Sequence, residues 1–101
     1  MKIYLSGPIT GVANYRENFR RAKEALTRAG YTQIINPAEL CEVLPESIAS
    51  WEDYLEICLN LLDKAVVLLP GWDMSRGVRR ELRYAIAKDK LIFEYETTME
   101  R

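Results

Sequence analysis

Ser75-Arg76-Gly77-Val78-Arg79-Arg80-Glu81 is the stretch best suited to chemistry. Ser75 follows a buried-looking strand and stands where a helix begins. A helix N-terminus offers unpaired N–H groups and the positive end of a dipole, which suits a phosphate. Ser75 adds a hydroxyl, Arg76 lies in the first turn, and Gly77 lets a ligand approach the backbone closely. The same residues would also make an ordinary serine cap with a tolerated glycine. At about 100° per residue, Val78, Leu82 and Ala85 form an inward face. Arg76, Arg79, Arg80 and Arg83 form a stripe opposite, expected to be solvated or to meet another subunit. Glu81 falls between the two, beside Val78 and Ala85. A carboxylate there is expected to be partly buried near strand ends, where burial tunes its reactivity. A boundary glutamate paired with a nearby arginine is the plainer reading.

The second stretch is Ser6-Gly7-Pro8-Ile9-Thr10-Gly11, which matches neither a Walker loop nor a dinucleotide-binding fingerprint. Its interest is topological, since it ends the first strand and is expected beside the Ser75 loop. Tyr4 ends the same strand with a phenol that can reach the cleft between them.

What is missing narrows the chemistry. The chain has no histidine, which removes every Ser-His, Cys-His and His-zinc mechanism. Proton transfer is left to Asp, Glu, Tyr, Lys, Cys or water. Cys41 and Cys58 have neither redox nor metal-ligand spacing, so structural, reduced thiols are expected, with no metal and no cofactor. Fourteen Lys and Arg against fifteen Asp and Glu give a net charge of -1, not the basic excess of a general nucleic-acid binder. The opening residues lack the apolar stretch of a signal peptide, and Ala65–Pro70 is far too short to span a membrane. A cytoplasmic protein is expected.

These residues need elements to position them. Lys2–Ser6 reads as a strand ending in a Gly-Pro turn. Asn14 is placed to cap a helix over Tyr15–Ala29, where Phe19, Ala22, Ala25, Leu26 and Ala29 recur at helical spacing. Gly30 stands at its C-terminal cap. Tyr31–Ile35 is a short strand ended by Asn36-Pro37, and Ala38–Ala49 is expected as a loop with at most a helical turn. Ser50 and Asp53 form a capping-box pattern, followed by an apolar helix face of Trp51, Tyr54, Leu55, Cys58, Leu59 and Leu62. Ala65–Leu69 has the continuous apolar pattern of a parallel strand covered on both faces. A helix from the Ser75 cap to about Lys88, a strand at Leu91–Phe93 and a polar tail from Glu96 complete the chain. The alternation predicts one α/β domain over residues 1–101. It is a three-layer, Rossmann- or flavodoxin-like fold with a parallel sheet of about four strands and helices on both faces. Ligands of such sheets bind beyond the carboxyl ends of the strands, where both stretches lie.

Ile3-Tyr4-Leu5-Ser6-Gly7-Pro8-Ile9-Thr10-Gly11 and Ser75-x-Gly77-Val78-x-x-Glu81-Leu82 together resemble the nucleoside 2-deoxyribosyltransferase superfamily. The second motif is most similar to its 2′-deoxynucleoside 5′-phosphate N-hydrolase branch. With Asn36-Pro37 and Leu68-Leu69-Pro70-Gly71-Trp72, nearly the whole chain also resembles a small family common in bacteriophage genomes. The resemblance implies an N-glycosidase or deoxyribosyltransferase acting on a nucleoside or its 5′-monophosphate. Glu81 then matches the nucleophile and Tyr4 the active-site tyrosine that positions it. Gly7, Pro8, Ile9, Ser75, Arg76 and Gly77 match the substrate loops, with Ser75 and the Arg76 and Gly77 amides at a 5′-phosphate. The superfamily's second catalytic Asp has no clear counterpart. Glu56, Cys58 and Asp63 all lie near its position, and Glu56 fits an ungapped count from Glu81. Arg83 replaces a usual glycine, and Pro8 replaces a phosphate-binding serine. A catalytically inactive nucleotide sensor or sponge is the alternative. The resemblance also implies a homodimer or higher homo-oligomer, expected to have Trp51 or Tyr54 near the contact.

Overall fold

The computed structural model describes residues 2–9, 11–43, 50–62 and 65–95, the side chains of residues 41–43 and 51 excepted. Four strands form one sheet: β1 (Lys2–Ser6), β2 (Gln33–Ile35), β3 (Ala65–Leu68) and β4 (Leu91–Glu94). They are ordered β2-β1-β3-β4, and every pair is parallel. The helices are α1 (Tyr15–Arg28), α2 (Pro37–Val43), α3 (Trp51–Leu61) and α4 (Arg76–Ala87). The expected small parallel α/β fold is the one observed.

Alternation along the strands sorts the core into two halves. Ile3 and Leu5 of β1 and Ala65 and Val67 of β3 pack with Phe19, Ala22, Ala25 and Leu26 of α1. Tyr4, Val66 and Leu68 point the other way and pack with Cys58 of α3 and with Val78 and Ala85 of α4. Chain order and sheet order therefore diverge between β1 and β3. The crossover after β1 runs outward over one face, and the crossover after β3 runs outward over the other. The gap between those strand ends is the switch point at which doubly wound sheets bind ligands.

Local chemistry explains the element ends. The α1 helix closes with a Schellman pair, Tyr31 N–H to Leu26 O (3.1 Å) and Gly30 N–H to Thr27 O (3.0 Å). Asn14 holds the N-cap position of α1, but its side chain makes no capping bond. The expected loop after Asn36-Pro37 begins instead as α2. Asn36 accepts the Ala38 N–H at 2.9 Å, so Asn-Pro is a cap followed by a first-turn proline as well as a strand end. The capping box of Ser50 and Asp53 is formed in both directions. Between β3 and α4 a 3₁₀ turn, Trp72–Met74, intervenes where the sequence suggested only a break. The Tyr54 hydroxyl donates to Pro37 O at 2.7 Å, tying α3 to α2. The Trp51 side chain and Asp63 lie outside the described residues. Among those described, no helix is long and apolar enough to cross a membrane.

Gly7 holds the two central strand ends together. A Cβ at this position would lie 2.9 Å from both Cβ and Cδ1 of Leu69. The close approach lets Leu69 N–H donate to Ser6 O at 2.8 Å, extending the β1–β3 ladder past the strand ends. The obstacle includes the Leu69 Cβ, which moves only with its backbone. We expect Gly7→Ala to lower stability by about 1–3 kcal/mol, the usual cost of overpacking. Urea denaturation measures it, and a variant as stable as the parent would show that the strand ends can part freely.

A buried carboxylate at the sheet switch point

On β1, Tyr4 and Ser6 are two residues apart and so share the face that α4 covers. On α4, the inward positions are Val78, Glu81 and Ala85, at spacings of three and four. The two patterns intersect at Glu81. Its carboxylate receives one hydroxyl on each oxygen: Tyr4 Oη donates to Oε2, and Ser6 Oγ donates to Oε1 at 2.8 Å. Tyr4 and Ser6 are fully buried and Glu81 is 6% exposed. Glu81 therefore pairs with two neutral hydroxyls. Arg76, Arg79, Arg80 and Arg83 stay on the exposed face of the helix.

Burial raises the pKa of the Glu81 carboxyl above its ordinary value, and the bonds from Tyr4 and Ser6 pull it partly back. Tyr4 is held firmly protonated, by burial first, then by the Glu81 charge and the neighbouring Cys58 thiol. The phenol is thus a fixed hydrogen-bond donor. A carboxylate oriented by two donors, with lone pairs left over, can serve as a nucleophile or as an electrostatic support for a developing cation.

Ser6 was not singled out from the sequence as a site residue. The available signal was strand alternation, which places residue 6 on the face of residue 4 and opposite α4. Cys58, one of three alternatives for a second group, is the α3 residue that reaches Tyr4. Glu56 is exposed. Two residues along a helix is a turn of about 200°, so Cys58 and Glu56 cannot both face the sheet. The structure therefore does not bring Glu56 to Glu81.

The two loops expected side by side are side by side. Pro8 lies 3.4 Å from where a Gly71 Cβ would stand, joining the loop after β1 to the turn after β3. Trp72 Nε1 donates to Glu94 Oε1 at 2.9 Å, anchoring that turn to β4. Ser75 caps α4: its Oγ accepts the Val78 N–H at 3.3 Å, and its own proton remains available to an acceptor. Gly77 is required by neither backbone nor packing. Its φ is not in the left-handed region, and the nearest atom to a Cβ there would be Ser75 Oγ at 3.9 Å. A cleft of about 190 Å³ opens between these loops and α1, lined by Pro8, Phe19, Arg21, Pro70 and Tyr95 among others. It lies on the α1 side, and Glu81 is not in its wall. Ile9 packs against the same α1 core. Among the described residues, no group of three acidic, cysteine or histidine side chains could hold a metal ion.

Fold and site together define a small doubly wound α/β protein with a buried, hydroxyl-bound carboxylate at its switch point. A family model described as a domain of unknown function, DUF4406, matches residues 1–94, and the chain belongs to that family. No curated protein and no solved structure matches it.

The raised Glu81 pKa sets a pH dependence. Its folded value lies above the ordinary value of 4.5, so its contribution to stability is full below 4.5. That contribution is lost as pH rises through the folded value. Glu81→Gln removes the titration, so the parent should lose stability relative to the variant from pH 4.5 upward. Urea unfolding across that range checks the sign; parallel curves would place the carboxylate in water. Ser6→Ala leaves Oε1 without its donor. It should cost about 1–3 kcal/mol at neutral pH, and less when Glu81 is replaced by Gln.

Proposed function

We propose that the protein cleaves the base–sugar bond of a nucleoside or nucleoside 5′-monophosphate, with Glu81 as the nucleophile. One observation carries the reading. A carboxylate removed from water and fixed by Tyr4 and Ser6 stands where this architecture binds ligands. Attack of a Glu81 oxygen on C1′ forms a glycosyl ester as the C1′–N bond breaks, through an oxocarbenium-like transition state. The base leaves with the bonding pair and takes a proton from water. Water then adds to C1′ and frees the sugar and Glu81, or a second base accepts the sugar in its place. Tyr4 and Ser6 are positioning residues, because they hold the carboxylate and partly offset the rise in proton affinity that burial imposes on it.

The start of α4 supports a phosphate subsite. Glycine inside a helix costs about 1 kcal/mol relative to alanine, and no internal contact requires Gly77. Its bare backbone lets an anion approach the start of the helix closely, beside the Ser75 hydroxyl. A non-catalytic nucleotide sensor is the second reading, favoured by the exposure of Glu56, which turns that acid away from Glu81.

One experiment separates the two. Incubation with a panel of nucleosides, deoxynucleosides and their 5′-monophosphates should release free base. Glu81→Gln should slow release by at least about a thousandfold while still binding substrate. Binding without release by the parent would favour the sensor, and a variant as fast as the parent would sink the mechanism. In calorimetry, monophosphates should bind more tightly than nucleosides. Ser75→Ala should narrow that gap by roughly 1–2 kcal/mol, the scale of a lost charge-assisted bond. Equal affinities in the parent would remove the phosphate subsite.

A further inference from the structure

The two edges of the sheet are unlike. The β2 edge is three residues long and begins with the exposed polar Gln33, the kind of short strand that discourages pairing. The β4 edge is longer and apolar: Leu91 is 50% exposed and Phe93 51%. Leu91 and Phe93 sit in register with Ala65 and Val67, on the face that α1 covers. The α1 core takes in Ala65 and Val67 but neither Leu91 nor Phe93, so one helix fails to cover the outer part of a four-stranded sheet. Among the described residues, β4 pairs with β3 alone.

Which backbone groups are left over follows from one bond. Tyr95 N–H donates to Leu68 O, toward β3. Direction alternates along a strand, so the N–H and C=O groups of Ile92 and Glu94 point outward. Lys90 has its N–H taken by Ala85 O at the end of α4, leaving its C=O. The outward-facing row is therefore Lys90 C=O, Ile92 N–H and C=O, and Glu94 N–H and C=O.

We propose that a second copy of this chain pairs with β4 in antiparallel fashion, about a twofold axis at Ile92, joining two sheets into one. This register uses every group of the outward row except the Glu94 C=O, whose counterpart N–H, that of Lys90, is already bonded to Ala85 O. Ile92 exchanges both its bonds with the partner's Ile92, and each Glu94 N–H meets the other copy's Lys90 C=O. Charge complementarity selects it: Lys90 stands opposite the partner's Glu94, and the partner's Lys90 opposite Glu94, on one face. On the other face Leu91 meets the partner's Phe93 at the close, non-hydrogen-bonded positions, covering both exposed side chains. The interface is isologous, so it closes at a dimer and leaves no new edge. The proposal is independent of any reaction at Glu81.

Sedimentation equilibrium from low to high micromolar concentration tests it, with circular dichroism to confirm that each variant folds. The parent should be a dimer. Lys90→Glu and Glu94→Lys each place like charges opposite one another twice, and each should weaken the dimer by at least about tenfold. The double variant restores opposite charges and should return to within about threefold of the parent. A parent that stays monomeric throughout overturns the proposal and leaves the edge to a strand from another protein. A dimer indifferent to the single changes, or a double variant no tighter than the singles, overturns it in favour of a different surface.

Discussion

The interaction on which the rest of this structure depends is the pair of hydroxyl bonds to the Glu81 carboxylate. Moving a carboxylate from water into a protein interior is among the costliest acts in folding unless its oxygens are satisfied. Here Tyr4 and Ser6 supply one donor to each oxygen, and both come from a single strand. That arrangement requires α4 to lie over the carboxyl end of β1 with its inward face in phase with residues 4 and 6. The switch-point topology, the cap at Ser75 and the Gly7 contact are conditions for that phase. A one-residue slip of β1 would turn both hydroxyls toward α1 and leave the carboxylate alone.

The two loops at the switch point are held from several directions, which keeps the carboxylate's surroundings fixed. Gly7 lets the ends of β1 and β3 touch, Pro8 closes against the turn at Gly71, and Trp72 ties that turn to β4. Each contact joins a loop to a strand or to the neighbouring turn through a rigid or directional group. The loops thus extend the sheet, which suits a site that must be organised before a ligand arrives.

Much of this was legible in the sequence because the signals were periodic or local. Helical spacing on α1 and α4, the apolar run of β3 and the capping box before α3 each name one element with a known physical cause. Glu81 was legible too, since helical phase alone places it beside Val78 and Ala85. Three features were harder to read. The α2 helix hid because Asn36-Pro37 serves a strand end and a helix start equally well. Ser6 hid because a small polar residue at a strand end is ordinary until its partner on a distant helix is known. The second acid was sought by counting residues back from Glu81. Counting gave Glu56, whereas helix phase, set by packing against the sheet, turns Cys58 inward and Glu56 out.

A small chain holds this carboxylate at a cost. Domains of this size have about 5–15 kcal/mol of net stability, so one imperfectly compensated buried charge is a sizeable fraction of the whole. Replacing buried ionic or polar groups with apolar residues of similar shape is often neutral or stabilising. Packing alone would be served by a leucine at residue 81 with phenylalanine and alanine at residues 4 and 6. The observed trio instead keeps a titratable group out of water, raises its pKa, and aims a phenol and a hydroxyl at it. Structural ion pairs can also perturb a pKa, but such pairs bring opposite charges together, and here both partners are neutral. A buried carboxylate gains no ion-pair energy from neutral donors such as Tyr4 and Ser6. Its compensation is orientation and a tuned proton affinity, the two properties that chemistry at a binding site requires.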